Sequence, residues 1–338
     1  MILIDLFLLL YTDISNIKIS NQIKTNNIEI NNVTNINKIE KNTINKDTFI
    51  NNNIVDKKNI DRQKYYLSIW HKDDLFKYQW WILETYINWW IKLIDYSEKR
   101  DIEDRDIIDV DRVYDKYVEK INDKNKNDIF INTPYGWTNY WEVKDNNIKN
   151  ENIELIVLYF HGAWWNRHQW VNDYTFWWNF NRIQNLMIKN NGVYISPDFK
   201  DFEWKWTVEM QILIYHLLKK YPNWKLIISW ASSGWTILWN IVNKSEKKLV
   251  DKISGLLLIW SVTNSKYNIN NRIPIYIWHW TKDSNISYKP LFSYYNEIKK
   301  QNSIYPIKIE LFKNWVHWTP IRMINWRDSI NWILLNKK

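Results

Sequence analysis

The chain of 338 residues contains no cysteine. That excludes disulfides, a thiolate nucleophile and cysteine-ligated metal sites. Glycine is nearly as scarce, with five residues where ordinary proteins carry roughly 7%. Only two alanines, Ala163 and Ala231, and seven prolines are present. So few small residues leave little material for tight turns and close helix–strand approaches. In their place stand 25 tryptophans and an Asn-, Ile- and Lys-rich background. The net charge of +9 and isoelectric point near 9.2 raise the question of a polyanionic partner. The charges are scattered, however, and no dense basic run with interleaved aromatics occurs, so nucleic acid is not expected as a partner.

The tryptophans follow glycine's local rules. They stand after Asn88 and His279 and on either side of the Val316-His317 pair, as Trp89, Trp280, Trp315 and Trp318. Asn-Gly is the strongest two-residue hairpin signal because both positions need positive φ, which a bulky side chain tolerates poorly. Glycine at position 89 turns "ILETYINWWIKLIDY", residues 82 to 96, into two alternating strands around a turn. With an AT-rich coding bias evident in the Asn, Ile and Lys content, this pattern implies UGA codons read as tryptophan where the organism reads glycine. Trp326 and Trp332 are excepted: they lie in a helix-like segment, where glycine would cost about 1 kcal/mol relative to alanine.

The chain opens with "MILIDLFLLLYT", residues 1 to 12. This run has the length of a signal h-region or an anchoring segment and is short of the roughly 20 residues of a membrane span. It would place the protein outside the cytoplasm or at a membrane; without such a role the chain is cytoplasmic. Residues 13 to 62 are low-complexity Asn/Ile/Lys sequence and read as a disordered linker. Residues 63 to 338 read as one domain, with N-terminal strands and a charged insertion over 63 to 150 and a core over 151 to 338. The acidic stretch at 97 to 128 lacks calcium-loop spacing and reads as a solvated helix or loop. "IFINTPYGWTNYWEV" reads as two strands joined at Pro134-Tyr135-Gly136.

From Glu154 onward the pattern is α/β. "ELIVLYF", "GVYISPDF", "KLIIS", "GLLLI" and "PIYI" are short continuous apolar runs, and "PIKIELF" alternates. Helical stretches separate most of them, among them "TVEMQILIYHLLKKYP", which Pro222 ends. Such alternation predicts a mostly parallel sheet with helices on both faces.

"LIISWASSGWTILWN", residues 226 to 240, is a strand, a small-residue turn and a helix. With glycine at 230 it reads G-A-S-S-G, a nucleophile elbow centred on Ser232. As written, Trp230 would obstruct it. "LYFHGAWW", residues 158 to 165, supplies His161-Gly162-Ala163 after a buried strand. Its backbone N–H groups, at Ala163 and Trp164, together with the amide of Ser233, are the candidate oxyanion donors. "YIWHWTKDS" places Asp283 after another strand, and "NWVHWTPIRM" places His317 in a loop before the last helix. Ser232, Asp283 and His317 are 51 and 34 residues apart, in the order serine, acid, histidine. Ser233 is off-centre as a rival nucleophile, and His279 is the rival base. His161 reads as structural, His216 as a packing residue, His168 as a candidate pocket residue, and His71 has no triad-like context.

Residues 154 to 336 therefore resemble the α/β-hydrolase superfamily, particularly its esterase, lipase and carboxylesterase-like members. The resemblance implies an eight-stranded type of sheet and hydrolysis of a small-molecule or lipid-like ester through an acyl-serine. It implies no metal and no organic cofactor. Two other readings compete: a noncatalytic, tryptophan-rich surface protein that stacks on glycans, and an inactive hydrolase-fold scaffold. Oligomeric state, the acyl and alcohol groups, and the choice among ester, thioester and amide are not legible.

The codons discriminate. UGA at positions 164, 165, 230 and 280, with glycine in peptides of the natural protein, is the expected result. UGG codons at these positions would support the glycan-binding reading.

Overall fold

The computed structural model describes residues 67–76, 85–88, 91–163, 165–175, 179–261, 271–313 and 323–337. The chain divides into two units, Met1–Asp56 and Lys57–Lys338, and every described residue belongs to the second. The apolar segment at 1 to 12 and almost all of the presumed linker thus lie outside the described residues. Among these, no helix is long and apolar enough to cross a membrane.

The N-terminal hairpin is present as β1 (Thr85–Asn88) and β2 (Ile91–Ile94), antiparallel. Asn88 pairs with Ile91, so the connection is the two positions 89 and 90 and not an Asn-Trp pair at 88 and 89. The acidic stretch is broken into single turns around a minimal pair, β3 (Asp106–Ile107) and β4 (Arg112–Val113). No group of three or more metal-ligating side chains occurs among the described residues. β5 (Lys126–Thr133) and β6 (Gly136–Val143) form the second hairpin, connected through Pro134-Tyr135.

The apolar runs from residue 154 onward all become strands: β7 (Leu155–Phe160), β8 (Gly192–Pro197), β9 (Lys225–Ala231), β10 (Ile253–Ile259), β11 (Ile275–Trp280) and β12 (Ile307–Phe312). They join one ten-stranded sheet in the order β1-β2-β12-β11-β10-β9-β7-β8-β6-β5. Pairings from β8 through β7, β9, β10, β11 and β12 to β2 are parallel. β1, β5 and β6 run antiparallel to their neighbours. Strands buried on both faces have no polar side to alternate with, so their sequences are continuous apolar runs.

Two cores flank the sheet. On one face Val157 and Tyr159 pack with Phe180 and Met187 of α1 (Asn179–Lys189) and Ile330 and Ile333 of α6 (Trp326–Asn336). On the other, Ile156 and Leu158 pack against α2 (Trp204–Lys220), α3 (Trp235–Lys244) and α5 (Lys289–Gln301). The short helix α4 (Lys247–Val250) precedes β10. α2 buries Met210, Leu213, Ile214 and Leu217, the spacing of one helical face. It ends at Lys220, two residues before Pro222, which cannot donate the next backbone bond. Trp326 and Trp332, expected to be helical, lie in α6, where Trp326 packs against Trp278 and Phe180.

A buried guanidinium on α1 ties the turn at Asp73 to the segment that enters α6. Arg182 donates from Nε to Asp73 Oδ1 at 2.9 Å, from Nη1 to the Ile324 carbonyl at 3.0 Å and from Nη2 to Asn325 Oδ1 at 3.0 Å. Asn325 in turn caps α6 by accepting from the Asp328 amide. Removing one partner of such a buried pair strands the other charge. Arg182→Leu is expected to lower the unfolding free energy by about 3–5 kcal/mol. Lys247→Ala, which breaks an exposed pair with Asp251, should change it by less than about 0.5 kcal/mol. Urea denaturation of the two variants checks both.

Candidate active site

β9 ends at Ala231, a tight turn spans Ser232–Gly234, and α3 begins at Trp235. Ser232 sits at the corner with φ of +48°, in the left-handed region that a non-glycine residue occupies only where the surroundings hold it. The apolar strand drives into the core while the amphipathic helix must return along the sheet face, so the reversal concentrates on one residue.

Two glycines make the reversal fit. A Cβ at Gly234 would stand 2.8 Å from the His161 carbonyl oxygen and 3.3 Å from that of Phe160. Both contacts are backbone and cannot swing aside. A Cβ at Gly162 would lie 3.2 Å from Ser232 Cβ and 3.8 Å from its Oγ. The His161-Gly162 segment therefore runs directly beside the serine, at the ends of the adjacent strands β7 and β9.

Trp230 does not obstruct the turn. Its side chain projects onto the face covered by α3, among Ile237, Leu238 and Trp239. The indole N–H donates to Ser261 Oγ at 2.5 Å. The expectation of a blocked elbow is thereby corrected: the critical spaces are at 162 and 234, which are glycine as written.

Of the oxyanion candidates, Ala163 lies half-buried just after Gly162, and Ser233 lies in the turn leading into α3. Amides at a helix start have no intrahelical acceptor and are available to an anion. Trp164 lies outside the described residues. Asp283 follows β11 and is buried, its Oδ1 accepting from the amides of Asn285 and Ile286 at 2.9 Å each. These bonds fix the carboxylate's rotamer. Because β9 and β11 run parallel in one sheet, Ser232 and Asp283 share its carboxyl edge, two strands apart. His317 falls five residues beyond the end of β12 and is outside the described residues.

The remaining histidines occupy other settings. His279 is fully buried in β11, with Nδ1 accepting from the Trp280 amide at 2.8 Å. His161 is buried and stacked on Phe199, ring centroids 3.8 Å apart at 3°. Burial lowers its pKa, partly opposed by the bond between Nδ1 and the Gly162 carbonyl, so the ring is held neutral. His216, on α2, packs edge-on against Tyr140 with Nε2 3.2 Å from its hydroxyl; burial and Lys220 lower its pKa. His168, a candidate pocket residue, accepts instead from Trp141 Nε1. His71 lies exposed near Glu119.

A cavity of about 640 Å³ opens beside the site, formed by the β5–β6 turn, the segment after β7, the segment after β8 and the start of α2. It shares Gly162 and Ala163 with the oxyanion segment, and Phe199 and Phe202 form part of its wall. Arg167 braces the segments after β7 and β8 by pairing with both Asp128 and Asp198. These residues were missed in the sequence; the only signal was the Pro-Asp-Phe that ends β8's run.

No family model matches the chain, and no curated protein matches it. Solved structures do. A thermostable esterase superposes with a TM-score of 0.51 at 13% identity, over 64% of this chain and 64% of that one. The protein called FAE gives 0.52 at 11% identity, over 68% of this chain and 95% of that one. An esterase of Pyrococcus furiosus gives 0.44 at 12% identity, over 64% and 96%. The chain thus spans under two thirds of the thermostable esterase. At these identities the likeness concerns the fold, and the fold is that of the α/β-hydrolases.

Gly234→Ala is expected to destabilise the protein by about 1–3 kcal/mol, since strand end and helix must separate to admit one methyl. The shift in urea midpoint measures it. An unchanged midpoint would show that the junction has slack.

Proposed function

We propose that this α/β-hydrolase-fold chain is a serine hydrolase cleaving a carboxylic ester, with Ser232 as nucleophile, His317 as base and Asp283 as the acid that orients it. The observation carrying this reading is the left-handed corner at Ser232, held where β9 turns into α3 with Gly162 alongside. Left-handed corners of this kind cluster at functional sites, and this one carries a hydroxyl at the junction of strand and helix.

In this scheme His317 takes the proton of Ser232 as Oγ attacks the ester carbonyl carbon. The resulting oxyanion is met by backbone amides from Ala163 or position 164 and from Ser233. Collapse expels the alcohol, which leaves with the proton from His317, and an acyl-serine remains. Water then attacks the acyl carbon, gives its proton to His317, and the carboxylic acid departs as Oγ regains a proton. Asp283 holds the imidazole tautomer and stabilises its transient positive charge. The bonds made and broken balance without a metal or redox partner.

The same proposal includes glycine as the natural residue at several tryptophan positions. Trp260 follows β10 with φ of +36°, a conformation exceptional for a bulky side chain. The Trp280 indole N–H is buried with no acceptor among the described residues, and an unmet buried donor costs about 1–3 kcal/mol. Trp230 and Trp280 are fully buried and present no ring to a sugar, whereas, among the described residues, Trp137 and Trp204 are exposed, so a glycan-binding reading would have to rest on those two.

The test is fluorophosphonate labelling of two versions of the chain, one as written and one with glycine at 89, 164, 165, 230, 260, 280, 315 and 318. Each is paired with its Ser232→Ala variant and checked for folding. Labelling of the glycine version, lost with Ser232→Ala, is the expected result. A folded glycine version that does not label would overturn the hydrolase reading. Equal labelling of both versions would leave the enzyme standing and remove the codon proposal.

A further inference from the structure

The cavity beside Gly162 has a chemical character of its own. Phe199 and Phe202 pack edge-to-face at 5.7 Å between centroids, and His161 stacks flat on Phe199. Tyr135 contributes from the β5–β6 turn, and Trp137, Trp165 and Trp206 add further rings. Phe199, Phe202, Tyr135 and His161 are aromatic whichever tryptophan positions prove to be glycine. If 165 is glycine, the space widens and the phenylalanine wall stays.

The cavity is also placed to serve the reaction. It lies at the carboxyl edge, outside the ends of β7 and β8, and reaches Gly162, whose Cα adjoins Ser232. An ester carbonyl seated between Ser232 Oγ and the oxyanion amides would have one substituent directed along this segment. Its volume of about 640 Å³ lies within the range of small-molecule sites. Its wall carries two cationic side chains, Lys200 and Lys205, and two carboxylates, Asp198 and Asp201. Net charge thus gives no strong selection for an ionic group.

We infer that this cavity is the substrate subsite for a planar aromatic group, so that the hydrolase acts on esters carrying an aryl ring on one side. This rests on the serine-hydrolase reading for its chemistry, but not for the binding itself. Rings prefer offset or edge contacts with other rings, and each such pair contributes affinity beyond its buried area. A saturated ring of the same size buries similar area without that gain. Two ring contacts then amount to about a tenfold difference in affinity.

The test uses the full chain carrying Ser232→Ala, so that bound esters survive. Calorimetry compares methyl phenylacetate with methyl cyclohexylacetate, and repeats the pair in backgrounds adding Phe202→Ala or Phe199→Leu. Phe202 is only partly buried, so its truncation tests the wall with less risk to folding. The expected result is about tenfold tighter binding of the phenyl ester, falling below about threefold in the Phe202→Ala background. A preference below about threefold in the Ser232→Ala parent would overturn the subsite. So would no binding of either ester, or a preference that survives both phenylalanine substitutions. Because no bond is cleaved, a chain that binds phenyl esters but fails fluorophosphonate labelling would lose the hydrolase reading and keep the subsite. One that labels but shows no phenyl preference would do the reverse.

Discussion

The start of α3 is pressed against the end of β7, close enough that a single added carbon at Gly234 would meet the His161 carbonyl at 2.8 Å. Most of the site depends on that contact. It forces the chain to reverse at Ser232 within one residue and drives its φ positive. It also brings the His161-Gly162 segment alongside the serine. The cost of the strained corner is met elsewhere, by strands buried on both faces and helices packed from each side. A loosely packed scaffold would relax the corner and lose the alignment.

The sheet supplies the rest of the geometry. Parallel strands all deliver their following segments to one edge, so residues distant in sequence arrive together without a dedicated connection. Ser232 and Asp283 come from strands separated by β10 alone. The cavity is assembled by the same rule from segments after β7 and β8, with one hairpin turn added.

How much of this the sequence disclosed depended on the period of each signal. The runs "ELIVLYF" and "GLLLI" were unambiguous because strands covered on both faces carry no polar alternation, and all six became strands of the sheet. The elbow was legible because a strand, a run of small residues and a helix have few other uses in that order. The supposed obstruction by Trp230 was misjudged: a strand side chain is assigned to one face by alternation, and this one faces α3 and not the turn. The cavity was illegible because its walls come from four segments, and nothing local marks Phe199 or Phe202 as neighbours of Gly162. Arg182 and Asp73 were likewise silent, since 109 residues separate them. The added hairpin β1–β2 was foreseen, but its place beside β12 at the far edge of the sheet was not, since register across more than two hundred residues leaves no trace in composition.

That last placement bears on how the chain is made. The Leu67 amide donates to Asn331 Oδ1 across 264 positions, Arg327 donates back to the Leu67 carbonyl, and β2 pairs with β12. During synthesis the first hairpin emerges long before the strand and helix that complete it. Contacts of such separation form late and slow the search for the native state. Until β12 has been made, one edge of β2 is unpaired and apolar, of the kind that invites association with other chains. Among the described strands, β1 and β2 are thus made well before the partner that covers them, and the exposed edge persists until β12 has been made.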